Sequence, residues 1–316
     1  MNFYSKLLLV AGTASLSAMV SATPLNEYNL VLFGDLNTSS NVKVYGKALI
    51  GGDLKSSGEF GSHLGDASFN ATNNVEVLGS VTSPNLTIQN GYLGYGETQS
   101  IGNLNCNESG LPQNSCVRAL GDVGAVADKL DNFYDALSAE SDFYRDFDLV
   151  GDVLGTTLSY GGLAADLVVF NIAGSALFAN NANWQLNFGN AANVVINVSG
   201  STLSNPGSVN LSGNGFTAST YSNILWNFYD TTSLNLGNGW KGNVLALDAD
   251  VKIMNDIDGS LAAKSYTGSG QIHHYYWDYT PPETPELQTS VPETSMLTLL
   301  LTGLGLLGLV RLRRRQ

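Results

Sequence analysis

Leu167-Val168-Val169-Phe170-Asn171-Ile172, Trp184-Gln185-Leu186-Asn187-Phe188 and Val194-Val195-Ile196-Asn197-Val198 follow one another along the chain. Each run is short and rich in β-branched or aromatic residues, and Asn and Gly, which favour turns, lie between them. The pattern continues in Asn223-Ile224-Leu225-Trp226-Asn227-Phe228, Val244-Leu245-Ala246-Leu247, Val251-Lys252-Ile253 and Gly259-Ser260-Leu261-Ala262-Ala263. Short strands about every 10 residues suit a β-sandwich. They also suit a solenoid, whose coils stack on one another and turn at Asn or Gly. The reading adopted is a mainly β fold, a parallel β-solenoid (β-helix) with one α-helix packed alongside; a β-sandwich is the alternative. Trp226, Phe228, Val244, Leu245, Ile257 and Leu261 are expected to be buried in it.

Upstream, residues 28–100 repeat the strand-then-turn pattern more loosely. Val42-Lys43-Val44-Tyr45-Gly46 and Val75-Glu76-Val77-Leu78-Gly79 are alike enough to be a degenerate repeat. A helical insertion interrupts the strands at about 117–148. There Val123, Val126, Leu130, Phe133, Tyr134 and Leu137 recur at three- and four-residue steps, which gives a helix one apolar stripe. Asp128, Asp131, Asp135, Glu140 and Asp142 lie mostly off that stripe, so the helix is expected to pack on the flank of the β body.

Only 13% of the 316 residues are charged, and Gly numbers 35. Such a composition is neither that of a disordered chain nor that of a helical one. The formal net charge is −13; without Lys6 and the four arginines near the C-terminus it would stand near −18. So acidic a body argues against nucleic acid as a partner. Cys106 and Cys116 are the two cysteines. Their closeness suggests one local disulfide, which would contribute roughly 2–3 kcal/mol by closing a short loop. A metal site is the alternative, but no further ligand lies nearby in sequence.

Both ends read as targeting segments. Lys6, an apolar run from Leu7 to Val20 and the small residues Val20-Ser21-Ala22 have the layout of a signal peptide over 1–22, cut by signal peptidase. The run is shorter than the roughly 20 apolar residues of a membrane span. At the other end, a Pro-rich linker over 279–290 precedes Val291-Pro292-Glu293. An uncharged stretch over 296–310 and the cluster Arg311, Arg313, Arg314 and Arg315 follow. The stretch reads as a short transmembrane helix whose arginines stay on the cytoplasmic side.

The tail, 291–316, resembles the PEP-CTERM sorting signal of Gram-negative bacteria, carried here by Val291, Pro292 and Glu293, the apolar helix and the arginines. The resemblance implies an exosortase-type partner, transient anchoring at the inner membrane, and then release to the cell surface or extracellular matrix, as in biofilm material. Thr294 departs from the common Val-Pro-Glu-Pro. A plain membrane anchor is the alternative. The body, 26–278, resembles the choice-of-anchor A domain. The matching blocks are 29–36, 44–53, 224–228, 239–246, 257–264 and Gly270-Gln271-Ile272-His273. That family is adhesin-like and implies a solenoid with a helix beside it, similar to bacterial ice-binding domains. No catalytic residue carries over.

The residues themselves offer little chemistry. His273 and His274 are adjacent, and on a strand would point to opposite faces; His63 lies in a glycine-rich loop. Asp248 with Asp250, and Asp256 with Asp258, each place two carboxylates on one face of a strand and are candidate ligands for Ca²⁺; solvated turns are the alternative. Ice binding asks for regular rows of Thr, whereas Thr156-Thr157 and Thr231-Thr232 are isolated pairs. The expected function is therefore a non-enzymatic, adhesin-like surface protein without a cofactor, binding extracellular polysaccharide or another surface ligand. A polysaccharide-active enzyme on a β-helix scaffold is the alternative.

Overall fold

The structure is a computed structural model that describes residues 24–64, 72–107, 112, 114–204 and 209–282. Contacts separate a compact unit ending at Thr280 from residues 281–316. The expected signal peptide, the sorting motif, the tail helix and the arginine cluster lie outside the described residues. Among the described residues no helix is long and apolar enough to cross a membrane.

The unit is a parallel β-solenoid. Only the pair Asp152–Leu154 and Thr157–Ser159 is antiparallel among the described ladders. The face-to-face antiparallel sheets of a sandwich are therefore not what the chain forms. Trp226, Phe228, Val244, Leu245, Ile257 and Leu261 are all buried.

The order of the coils is not the order of the sequence. On one face, Val117–Ala119 lies beside Tyr92–Tyr95, followed by Asn73–Val77, Ala48–Ile50 and Leu30–Leu32. The far side of Leu30–Leu32 pairs with Leu261–Gly268, then come Asn243–Ile253, Ile224–Asn227, Ala191–Ser199 and Ala165–Ala173. The first coil thus stacks on the last. The chain winds outward to Val117–Ala119, crosses to the opposite end, and winds back until it meets its own start.

The long helix Val123–Arg145 makes that crossing. Its 23 residues span about 35 Å, against about 43 Å for ten stacked strands. Asp122 caps it by accepting a hydrogen bond from Ala125 N at 3.0 Å. Along its length Lys129 bonds Glu76, Tyr134 bonds Asp248, and Ser141 bonds Asn227. The helix therefore runs across the face strand by strand. It explains why these strands read Leu-Val-Leu or Leu-Val-Val-Phe without alternation: their inner side chains fill the solenoid, and their outer ones pack under the helix.

Two details depart from the sequence reading. The helix is 123–145, and Val117–Ala119 before it is a strand. Val123 is 41% exposed because it sits in the first turn, beyond the face that the stripe covers. Conversely, Glu140 is only 8% exposed and points into the interface.

Cys106 and Cys116 are disulfide-bonded, with Cα atoms 5.6 Å apart. The bond joins the end of Gln99–Cys106 to the entry of the outermost strand, Val117–Ala119.

Candidate functional site

The two faces away from the helix alternate apolar-in and polar-out, which is the pattern of a half-solvated sheet. On the second face the inward row is Leu203, Leu234, Val251, Tyr266, Leu36, Leu54 and Val81, all buried. One residue further along each strand is an outward row. Ser100, Thr82, Lys55 and Asn37 stand in register from one end, and Thr267, Lys252, Asn235 and Ser204 from the other. These eight polar side chains run the length of the solenoid at about 4.8 Å steps. They are hydroxyls, amides and two ammonium groups, not a repeating array of Thr.

The third face carries a cleft of about 300 Å³. Its floor is Gly58, where an added Cβ would lie 2.8 Å from Val42 O and 2.9 Å from Val42 Cγ1. In register with buried Val42 and Leu86, Gly58 turns its missing side chain to the inner side, so glycine here permits the close approach of neighbouring coils beneath the cleft. The outward residues Thr87, Glu59, Lys43 and Gln271 cross the cleft in register on four neighbouring strands. Lys43 Nζ pairs with Glu59 Oε1 at 3.1 Å. Gln89 Nε2 donates to the same oxygen at 2.9 Å, and Tyr45 OH donates to Gln271 Oε1 at 3.1 Å.

All three histidines gather at the edge of this face. His63 stacks on Tyr45 with ring centroids 4.3 Å apart, and the tilted His273 ring has its centroid 4.7 Å from that of Tyr45. His274 is half-buried. Burial holds its imidazole below the usual pKa, and the charge of nearby His63 adds to that. No sequence signal brought these rings together, because positions 63 and 273 become neighbours only when the last coil meets the first.

The four aspartates do not converge as one group, although Asp256 and Asp258 both reach His273, Asp256 Oδ2 lying 3.8 Å from its Nε2. The strand Asn243–Ile253 shifts register between Ala246 and Asp250, where it bends from one face to the next. Asp248 therefore accepts from Tyr134 OH of the helix at 3.0 Å, whereas Asp250 accepts from Ser265 Oγ at 2.7 Å on another face. Asp256 caps Gln271 N at 2.9 Å. Asp258 is buried between Lys241 and His273. Burial raises its carboxyl, but hydrogen bonds from His273 and Lys241 outweigh this and hold it below the usual carboxylate range. Among the described residues no three His, Cys, Asp or Glu side chains are grouped to hold a metal ion.

A family model described as "Putative Ice-binding-like adhesive domain" matches residues 21–274. Two similar solved structures are ice-binding proteins. One, from an Antarctic biological consortium, is 15% identical over 86% of this chain and 100% of its own, with a TM-score of 0.33. The other, from the Antarctic ascomycete Antarctomyces psychrotrophicus, is 14% identical over 83% of this chain and 100% of its own, with a TM-score of 0.28. No curated protein matches the chain.

Proposed function

The chain belongs to the ice-binding-like adhesive domain family, and from that premise we propose that it is an exported, non-enzymatic adhesin that holds hydroxyl-rich polymer at the cell surface or in the matrix. In this reading the leader 1–22 takes it out of the cytoplasm. The segment 291–316 anchors it transiently in the inner membrane, where an exosortase-type enzyme processes the tail and the body goes on to the surface.

The supporting observation is the in-register outward row on the second face. It presents many weak hydrogen-bonding groups on a rigid, nearly flat sheet, and none of them is burdened with a buried charge. Weak contacts of this kind add up when a long polymer meets them simultaneously. A catalytic reading would need an acid and a base converging on a groove. The best-formed cluster, Asp258 with Lys241 and His273, instead uses its charges on itself.

The test incubates the full-length protein with soluble polysaccharides, separates it by affinity electrophoresis, and analyses the polymer afterwards. Retardation with intact polymer is expected. Thr267→Tyr, which raises a bulky ring from the middle of the flat row, should weaken the retardation at least threefold. Shortened chains or unsaturated ends would replace the adhesin with the polysaccharide-active enzyme. A chelator added to the gel reads any calcium contribution of Asp248, Asp250, Asp256 and Asp258.

A further inference from the structure

The cleft over Gly58 differs from the rest of the polar surface in being concave and partly prepaid by its own hydrogen bonds. Lys43 is held on both sides, by Glu59 at 3.1 Å and over the ring of Tyr45 at 4.9 Å. Gln271 is oriented by Tyr45, and Asn85 Oδ1 accepts from Asn103 Nδ2 at 2.8 Å. These contacts fix the side chains without exhausting them. Among the described residues, Glu59 Oε2, Gln271 Nε2, Asn85 Nδ2 and Thr87 Oγ1 have no protein hydrogen-bond partner. Two free donors, one free acceptor and one hydroxyl that can act as either thus line one small depression.

We propose that this cleft is a subsite for one neutral sugar unit of a polysaccharide, its hydroxyls held by Glu59, Gln271, Asn85 and Thr87. The inference rests on the polysaccharide-binding reading above and adds a place and a class of sugar to it. Size fits: about 300 Å³ is at the small end of ligand clefts, which run from about 300 to 1,000 Å³. The chemistry fits as well, because sugar hydroxyls both donate and accept, and a mixed amide, carboxylate and hydroxyl lining serves both roles. Charge selects the neutral class. Lys43 and Glu59 cancel within the cleft, while the acidic body around it repels polyanions. The lining side chains stand on hydrogen-bonded strands and are held by their own contacts, so the site is preorganised to bind.

The experiment measures affinity electrophoresis of the full-length protein in gels containing laminarin or dextran, both neutral glucans, or alginate, a polyanion. Asn41→Trp is the decisive variant. Asn41 is exposed at the cleft rim, and its side chain makes no hydrogen bond among the described residues, so the indole should fill the cleft without unfolding the coil. Glu59→Gln removes the carboxylate but keeps the shape. Wild-type retardation by a neutral glucan, weakened at least tenfold by Asn41→Trp and at least threefold by Glu59→Gln at unchanged melting temperature, is the expected result. If Asn41→Trp binds like the wild type while Thr267→Tyr does not, the cleft assignment is overturned and the adhesin reading stands. Retardation by alginate alone overturns the neutral class. If no polysaccharide retards the wild type, both readings fall together.

Discussion

Asn227→Ala is expected to cost about 3–5 kcal/mol and to loosen the C-terminal half of the long helix. Asn171, Asn197 and Asn227 occupy the same register on three successive strands. Asn227 Nδ2 donates to Asn197 Oδ1 at 2.9 Å, and Asn197 Nδ2 donates to Asn171 Oδ1 at 2.9 Å. The ladder also grips the helix. Asn227 donates to Ser141 O at 3.0 Å and accepts from Ser141 Oγ at 2.7 Å, and Asn197 donates to Tyr144 O at 2.8 Å. Asn227 is fully buried, so its loss strands three partners away from water, each at about 1–3 kcal/mol. Asn171 is exposed at the end of the ladder, and Asn171→Ala should cost under about 1 kcal/mol. Urea denaturation of both variants measures the difference. Equal, small losses would mean that apolar packing alone docks the helix.

Glu140→Gln is expected to stabilise the protein at alkaline pH. Burial pushes the Glu140 carboxyl up to about 8, only partly offset by the hydrogen bond from Tyr144 OH at 3.4 Å. That hydroxyl in turn accepts from Trp277 Nε1 at 3.2 Å, so the acid sits at the end of a buried chain. Below about pH 4.5 the carboxyl is protonated in both folded and unfolded chains, and its environment costs nothing. Between about 4.5 and 8 the unfolded chain ionises while the folded one keeps its proton, so stability falls by about 1.4 kcal/mol per pH unit. Above about 8 both forms are ionised and the loss levels off, on the order of 5 kcal/mol. Gln has no proton to lose. Melting curves at pH 4 and pH 9 should show the variant close to the wild type at the lower pH and clearly above it at the higher. A constant offset between the two proteins would show that the carboxyl titrates normally.

Both effects sit at residues whose importance sequence reading underrated, for one physical reason. Asn171, Asn197 and Asn227 each follow a large apolar residue inside a strand: Phe170, Ile196 and Trp226. Asn usually marks turns, so an Asn inside a strand run carries no local sign that it is buried and bonded. The recurring apolar-Asn-apolar triplet was the available sign of a ladder. Glu140 and Tyr144, one helical turn apart, continue the buried side of the helix beyond Leu137, but a carboxylate in that position reads as solvated face. By contrast, the strands and the helix were legible, because short β-branched and aromatic runs between turn residues and the three- and four-residue stripe are local patterns. The coil order was not. Every strand offers the same two edges, and nothing local says that Leu30–Leu32 should pair with Leu261–Gly268 and not continue in one direction. The cleft and the histidine cluster at its edge depend on that junction, so they could be seen only after folding. The separation of Asp248 from Asp250 has a related reason: spacing by two assumes a straight strand, and this one shifts register between Ala246 and Asp250, whereas Asp256 and Asp258 stay together at His273.

The central claim is that the two faces opposite the helix do the binding. Lysine acetylation of the full-length protein, with and without saturating neutral glucan and read by peptide mass spectrometry, tests it most directly. Lys55 and Lys252 stand on the second face, Lys43 in the cleft of the third, and Lys129 on the helix. Bound polymer should protect Lys43, Lys55 and Lys252 and leave Lys129 as reactive as in the free protein. Protection of Lys129 alone, or of no lysine while the polymer is bound, would contradict the account.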